Sequence, residues 1–311
     1  MPDNQDVRLS SFQRLALWTT AATYFLILVG GLVRASGAGL GCPDWPRCFG
    51  SWIPPASAAE LPPQFDISQF NPTLMWTEYL NRLLGVIVGL LILATTVLAW
   101  RHHRRQPRIV WTTTAALLLT GFQGWLGGRV VAHELAAWIV TVHMIVALVI
   151  VQMLLYVTVT ASQGSKGSTG SRGSTGFLGS TRVGIMVLVA VTLLQIALGT
   201  QVRGAIDGAI DAGVARDLAL GTVGRMDYLH RDLAFVVLLG AAGLCVWLMS
   251  QRAAPAVVRW SFVVLFLAIL QVALGAVMAY GSLLPAAQVG HLTVASLLLG
   301  AQTVVLLRFA D

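Results

Sequence analysis

Charged residues are scarce in this chain, at 11% of 311 residues, where a soluble domain carries roughly 25%. With 56% hydrophobic residues and a mean hydropathy of +0.76, that shortage excludes a soluble globular protein and marks an integral membrane protein. Dyad alternation is missing from the long apolar runs, which excludes a transmembrane barrel and leaves helices as the spans. Acid is the scarcer sign, 13 Asp and Glu against 20 Lys and Arg. No small-residue cleavage site follows the first apolar run, which is too long for a signal h-region, and no Arg/Ser-rich leader precedes it. A retained first span in a bacterial plasma membrane is therefore expected.

What is present is a set of runs of about 20 apolar residues. Eight spans are predicted, near 15–33, 79–100, 109–128, 138–159, 183–202, 228–249, 260–280 and 289–307. Arg8, Arg14, Arg101, Arg104, Arg105, Arg108, Lys166, Arg172, Arg182, Arg252, Arg259 and Arg308 share one side, 12 of the 20 basic residues. By the positive-inside rule that side, with both termini, is cytoplasmic. All the acids but Asp3, Asp6 and Asp311 fall on the other side. This topology accounts for the net charge of +7, and no nucleic-acid partner is needed.

The chain is internally duplicated. Glu78-Tyr79-Leu80-Asn81-Arg82 returns 149 positions later as Asp227-Tyr228-Leu229-His230-Arg231. His143 and His291 each head His-x-x-x-Ala, 148 apart, and Gln123-x-x-x-Gly127 and Gln271-x-x-x-Gly275 share that offset. Four spans per half is an even number, so the repeats run parallel. The predicted fold is all-α, eight transmembrane helices as two parallel four-helix bundles related by a pseudo-twofold axis along the membrane normal. The halves are 1–160 and 183–311, joined by a Gly/Ser-rich cytoplasmic linker, 161–182. Between Val33-Arg34 and Val202-Arg203 the offset is 169, so the first outer loop is about 20 residues longer than its counterpart. That loop holds Cys42 and Cys48. On the face outside the reducing cytosol they are candidates for a disulfide, the alternatives being free or metal-binding thiols. Cys245 lies within span six and reads as a packing residue.

Position separates the six histidines. His102 and His103 sit in the basic loop and read as solvated; His133 reads as a surface residue or the edge of a cofactor site. His143, His230 and His291 each begin a span, within roughly 8 Å of the outer boundary at 1.5 Å per residue. One such histidine reads as an interhelical hydrogen bond. Three at one depth, two of them repeat-equivalent, point to axial ligation of haem iron between facing helices, with His230 and His291 as a pair. Arg34, Arg82, Arg129, Arg203 and Arg231 cluster at the same level. They suit haem propionates, although snorkelling to the interface and helix ion pairs (Glu78–Arg82, Asp227–Arg231) are equally simple readings. The first half has Asn81 where the second has His230, and Glu78 where it has Asp227. A site with one histidine, an asparagine and a carboxylate suits a weakly held iron face at which chemistry occurs, while the bis-histidine site carries electrons.

Together, Gly30–Arg34, the Cys42/Cys48 loop, Glu78–Arg82, His143, Asp227–Arg231 and His291 resemble the haem A synthase family over essentially the whole chain. The resemblance implies oxidation of the C8 methyl group of haem O to the formyl group of haem A, by successive hydroxylations. It implies haem b on His230 and His291, with Arg203 and Arg231 at its propionates. It places the substrate haem near Glu78, with His143, Asn81, Arg82, Arg34 and Arg129 around it. Haem O synthase is the implied donor, cytochrome oxidase assembly the acceptor, and the lipid bilayer the solvent; a homo-oligomer is left open. Two features depart from the family pattern. Many members have histidine at the place of Asn81, and many carry a second cysteine pair in the loop 204–226, which has none here. The rival readings are a dihaem b-type cytochrome exchanging electrons with quinone and a transporter of parallel repeats. The cytochrome leaves Asn81 and Glu78 unexplained, and the transporter requires midplane polar residues.

Overall fold

The computed structural model describes residues 9–163, 175–281 and 283–309. The Gly/Ser stretch 164–174, with Lys166 and Arg172, lies outside the described residues. Among them the regular structure is helical: α1 (Ser11–Ala35), α2 (Pro72–His102), α3 (Pro107–Ala132), α4 (Ala137–Gln163), α5 (Thr175–Asp211), a short α6 (Arg216–Ala219), α7 (Arg225–Ser250), α8 (Pro255–Tyr280) and α9 (Pro285–Phe309). Seven of these, all but α3 and α6, are long and apolar enough to cross a membrane. The expected span 109–128 folds as α3, 26 residues long but diluted by Thr112, Thr113, Thr114, Thr120 and Gln123. The chain is thus an all-α multi-pass membrane protein.

The helices start and stop where local chemistry tells them to. Ser10 and Gln13 form a capping box at α1, and Gln13 Nε2 also donates to the Ala161 carbonyl on α4 (2.6 Å). Asn71 caps α2, whose first residue is Pro72, so α2 begins seven residues before its apolar run. Helices α4 and α5 run into the predicted 161–182 linker from both sides, to Gln163 and from Thr175.

Helix α1 packs on α2 and α4, and α3 on both α2 and α4; α5 packs on α7 and α9, and α8 on both α7 and α9. The two groups meet through α1–α9, α4–α5 and α4–α9. Val88, Ile92, Ala116, Ile150 and Leu154 fill the first group; Ile185, Val237, Ala241, Leu248, Val264 and Leu298 fill the second. Lipid is as apolar as leucine, so close packing and buried polar contacts hold such helices together. Thr19 on α1 bonds Thr95 on α2 (2.9 Å), and Gln302 on α9 donates to Thr192 on α5 (2.9 Å). Outward-facing Trp18, Leu118, Leu239 and Phe266 are 70%, 71%, 70% and 62% exposed, a surface suited to lipid and not to water.

All the histidines that begin spans share one end of the molecule. The loop 36–71 lies at that end. Cys42 and Cys48 are disulfide-bonded, which settles the pairing left open by the sequence, and both are fully buried with Phe49 and Met75. Phe65 and Phe70 meet Phe49 edge-on.

Candidate functional site

His143, His230 and His291 each sit near the start of a helix and lie against a glycine in the preceding long helix. A methyl group on Gly199 of α5 would stand 2.9 Å from His230 Cε1 on α7; on Gly275 of α8, 3.4 Å from His291 Cε1 on α9; on Gly127 of α3, 3.6 Å from His143 Cε1 on α4. Gln195 Nε2 donates to the His230 carbonyl (2.7 Å), and Gln123 Nε2 to the His143 carbonyl (2.8 Å).

In the second half the rings of His230 and His291 face one another, centroids 6.4 Å apart and planes at 58°. Imidazole nitrogens bind transition metals at ~2 Å, so two rings sharing one metal atom have centres roughly 6 Å apart. The Nδ1 atoms of His143, His230 and His291, and Oδ1 of Asn81, are buried without a hydrogen bond. Buried polar atoms without partners call for an explanation, and ring seats built for coordination supply one. Among the described residues no three His, Cys, Asp or Glu side chains gather as a metal-ion site. Two facing imidazoles fit the axial positions of a haem iron better than a bare ion.

The first half is built differently. Glu78, 5% exposed, accepts from the Cys42 amide at Oε2 (2.8 Å) and from Arg82 at Oε1. Arg82 spends all five of its N–H donors: Nε and Nη2 on Glu78, Nη2 also on the Cys42 carbonyl (3.3 Å), and Nη1 on the carbonyls of Asp44 (2.9 Å) and Arg47 (2.8 Å). Tyr79 Oη donates to the Trp52 carbonyl (2.7 Å). Trp45 lies against Gly128 of α3, so the disulfide loop reaches across this half. Asn81 is one turn along α2 from Glu78. No imidazole faces Gly30 of α1, where an added methyl group meets nothing within 4 Å.

The other arginines divide. Arg34 on α1 and Arg203 on α5 both pair with Asp207, and Arg203 Nη1 also donates to Gln288 on α9 (2.5 Å). Arg231 grips Asp227 through Nε (3.1 Å) and Nη2 (2.7 Å). Arg129 meets His133 (3.3 Å) at the exposed end of α3.

The model of the COX15-CtaA family of cytochrome oxidase assembly proteins matches residues 13–303. The chain belongs to that family. Among its relatives is a heme A synthase of Allorhizobium ampelinum, 27% identical over 225 residues, 65% of this chain and 58% of the relative. A heme A synthase of Geobacillus kaustophilus is 34% identical over 40% of this chain and 34% of its own length. One of Shewanella oneidensis is 32% identical over 44% and 42%. The chain thus matches between about a third and three fifths of the length of these relatives.

Within this family member, the predicted residues fall into two groups. His230 and His291 come together, as do Glu78, Arg82 and the Cys42–Cys48 loop. Arg34 and Arg203 are drawn to a shared acid, and Arg82 is committed to the loop. Two residues, Asp207 and Gln195, went unread in the sequence. Asp207 lies beyond span five, where no apolar pattern marks it. Gln195 and Gly199 repeat the Gln-x-x-x-Gly spacing of Gln123 and Gln271, but on the helix displaced by 169 residues, outside the 148-residue register.

Proposed function

We propose that this chain is a haem A synthase, oxidising the C8 methyl group of haem O by successive hydroxylations to the formyl group of haem A. The observation that carries the reading is the inequality of two sites in one duplicated frame: facing imidazoles in the second half, and one imidazole with a buried carboxylate in the first. His230 and His291 hold haem b, with Arg231 at a propionate and Arg203 there only through what its Asp207 pairing leaves free. The substrate haem O lies in the first half with His143 as its one strong ligand and Asn81 as a weak one. Arg129 and Arg34 line its edge. Bound haem supplies the redox-active iron. The chain supplies position and electrostatics: Glu78 either accepts the protons released at the reacting carbon or holds a negative charge against the positive charge that builds there. Arg82 orients that carboxylate and closes the disulfide loop over the site.

Eight spans in two parallel four-helix bundles, with both termini in the cytoplasm of a bacterial inner membrane, complete the reading; α3 pairs with α4 as α8 pairs with α9. Haem O synthase is the proposed donor and cytochrome oxidase assembly the acceptor. Pigment extraction from cells expressing this chain with a source of haem O tests the function. Haem A in the extract is the expected result. Haem O alone, beside a folded and haem-loaded protein, would mean a dihaem cytochrome.

A further inference from the structure

Four helix pairs repeat one arrangement at the histidine end: α1 with α2, α3 with α4, α5 with α7, and α8 with α9. In three of them the first helix carries Gln-x-x-x-Gly and the second a histidine: Gln123/Gly127 with His143, Gln195/Gly199 with His230, Gln271/Gly275 with His291. In the fourth the same places hold Leu26, Gly30 and Asn81. We propose that Gln123, Gln195 and Gln271 are positioning residues, each forming with the glycine one turn later a seat that orients the facing imidazole. The fourth seat keeps its glycine but lacks both glutamine and imidazole.

The physical case is local. A side chain four residues on covers the carbonyl of a helical residue, and glycine leaves that carbonyl open. The rings of His230 and His291 lie over Gly199 and Gly275 by Cε1 and Nδ1, and both Nδ1 atoms are buried without a closed hydrogen bond, available to a backbone carbonyl. A metal-bound imidazole is normally oriented by its other ring nitrogen against such a group. The glutamine amide grips from the opposite direction, donating to the carbonyl of the histidine itself, as Gln195 and Gln123 do. One grip fixes the rotation of the helix and the other the plane of the ring. At Leu26 there is no amide to donate, and at Gly30 there is open space where a ring would lie.

The proposal rests on the haem reading above, and its test separates the two. Full-length protein in detergent is compared by haem content, low-spin electron paramagnetic resonance and reduction potential. Gly199→Ala, where the added methyl meets His230 most closely, shifts the low-spin g values most. Gly275→Ala shifts them less, and Gly184→Ala, on α5 in open space, leaves them unchanged. Gln195→Leu, which copies Leu26, retains haem but splits or broadens the signal, and it carries the test if Gly199→Ala does not fold. Asn81→His with Leu26→Gln gives a sharper new low-spin signal than Asn81→His alone. Spectra of Gly199→Ala and Gln195→Leu that superimpose on wild type, while His230→Ala loses the signal, overturn the seats and spare the haem assignment. A signal that survives His230→Ala overturns the haem assignment, and the seats with it.

Discussion

Glu78 accepts from the Cys42 amide at one carboxylate oxygen and from Arg82 at the other, so replacing it disturbs the loop and the site together. Glu78→Gln keeps the shape but loses the charge that both donors use; a hydrogen bond to a charged group is worth about 1.5–3 kcal/mol. The variant should melt at a lower temperature and accumulate haem O or its hydroxylated intermediate in extracted pigment. Its His230/His291 haem spectrum should stay intact. Wild-type haem A yield beside a lowered melting temperature would make this carboxylate a loop brace only. Asn81 poses the complementary question. Its Oδ1 is buried and unpaired, and the space beside Gly30 accepts a larger ring. Asn81→His should therefore bind iron opposite His143 and raise the low-spin fraction of the first-half haem in optical and resonance spectra. An unchanged spin state would show that position 81 does not face the iron.

The loop 36–71 is an element held by few but concentrated contacts: one disulfide, three bonds from Arg82 to its carbonyls and a small aromatic cluster around Phe49. Removing the cross-link by Cys42→Ser with Cys48→Ser should cost on the order of 2–3 kcal/mol. The loop should become the first site of proteolytic nicking while the second-half haem is untouched. Equal protease resistance in wild type and variant would leave Arg82 as the sufficient tie. The helices were legible from hydropathy because the runs are long, and the histidines because they recur at one depth. Hydropathy missed the ends: α2 starts at Pro72 and α5 continues to Asp211, turns set by a cap and by charged residues that carry no apolar signal. The ion pair of Arg82 with Glu78 was legible from the i,i+4 spacing and is present, but its three bonds to loop carbonyls were not, since that loop has no periodicity.

At the scale of the whole molecule, the two halves are joined along α1–α9, α4–α5 and α4–α9, and at the histidine end by one acid between two repeat-equivalent arginines. Thr141 on α4 adds to the joint, bonding Thr200 (2.6 Å) and accepting from Gln201 (2.7 Å) on α5. The sequence shows that Arg34 and Arg203 are equivalent but not that they converge, because equivalence along the chain says nothing about the axis that brings the halves together. Asp207 is where that convergence becomes visible. Its side chain and those of both arginines are a fifth to a little over a quarter exposed, 20%, 28% and 25%, so screening by water is incomplete. Asp207→Asn leaves two cations facing each other across the joint. It should cost roughly 1 kcal/mol at low ionic strength. Raising the salt shortens the range of the repulsion from roughly 10 Å at 0.1 M to roughly 3 Å at 1 M. The variant should therefore recover thermal stability as salt is added, while the wild type loses a little because its attraction is screened. Adding Arg34→Gln to Asp207→Asn should restore stability without salt, since only one cation remains. Melting curves of wild type, single and double variants across that salt range decide the matter. Parallel curves for all three would mean that helix packing alone holds the halves together.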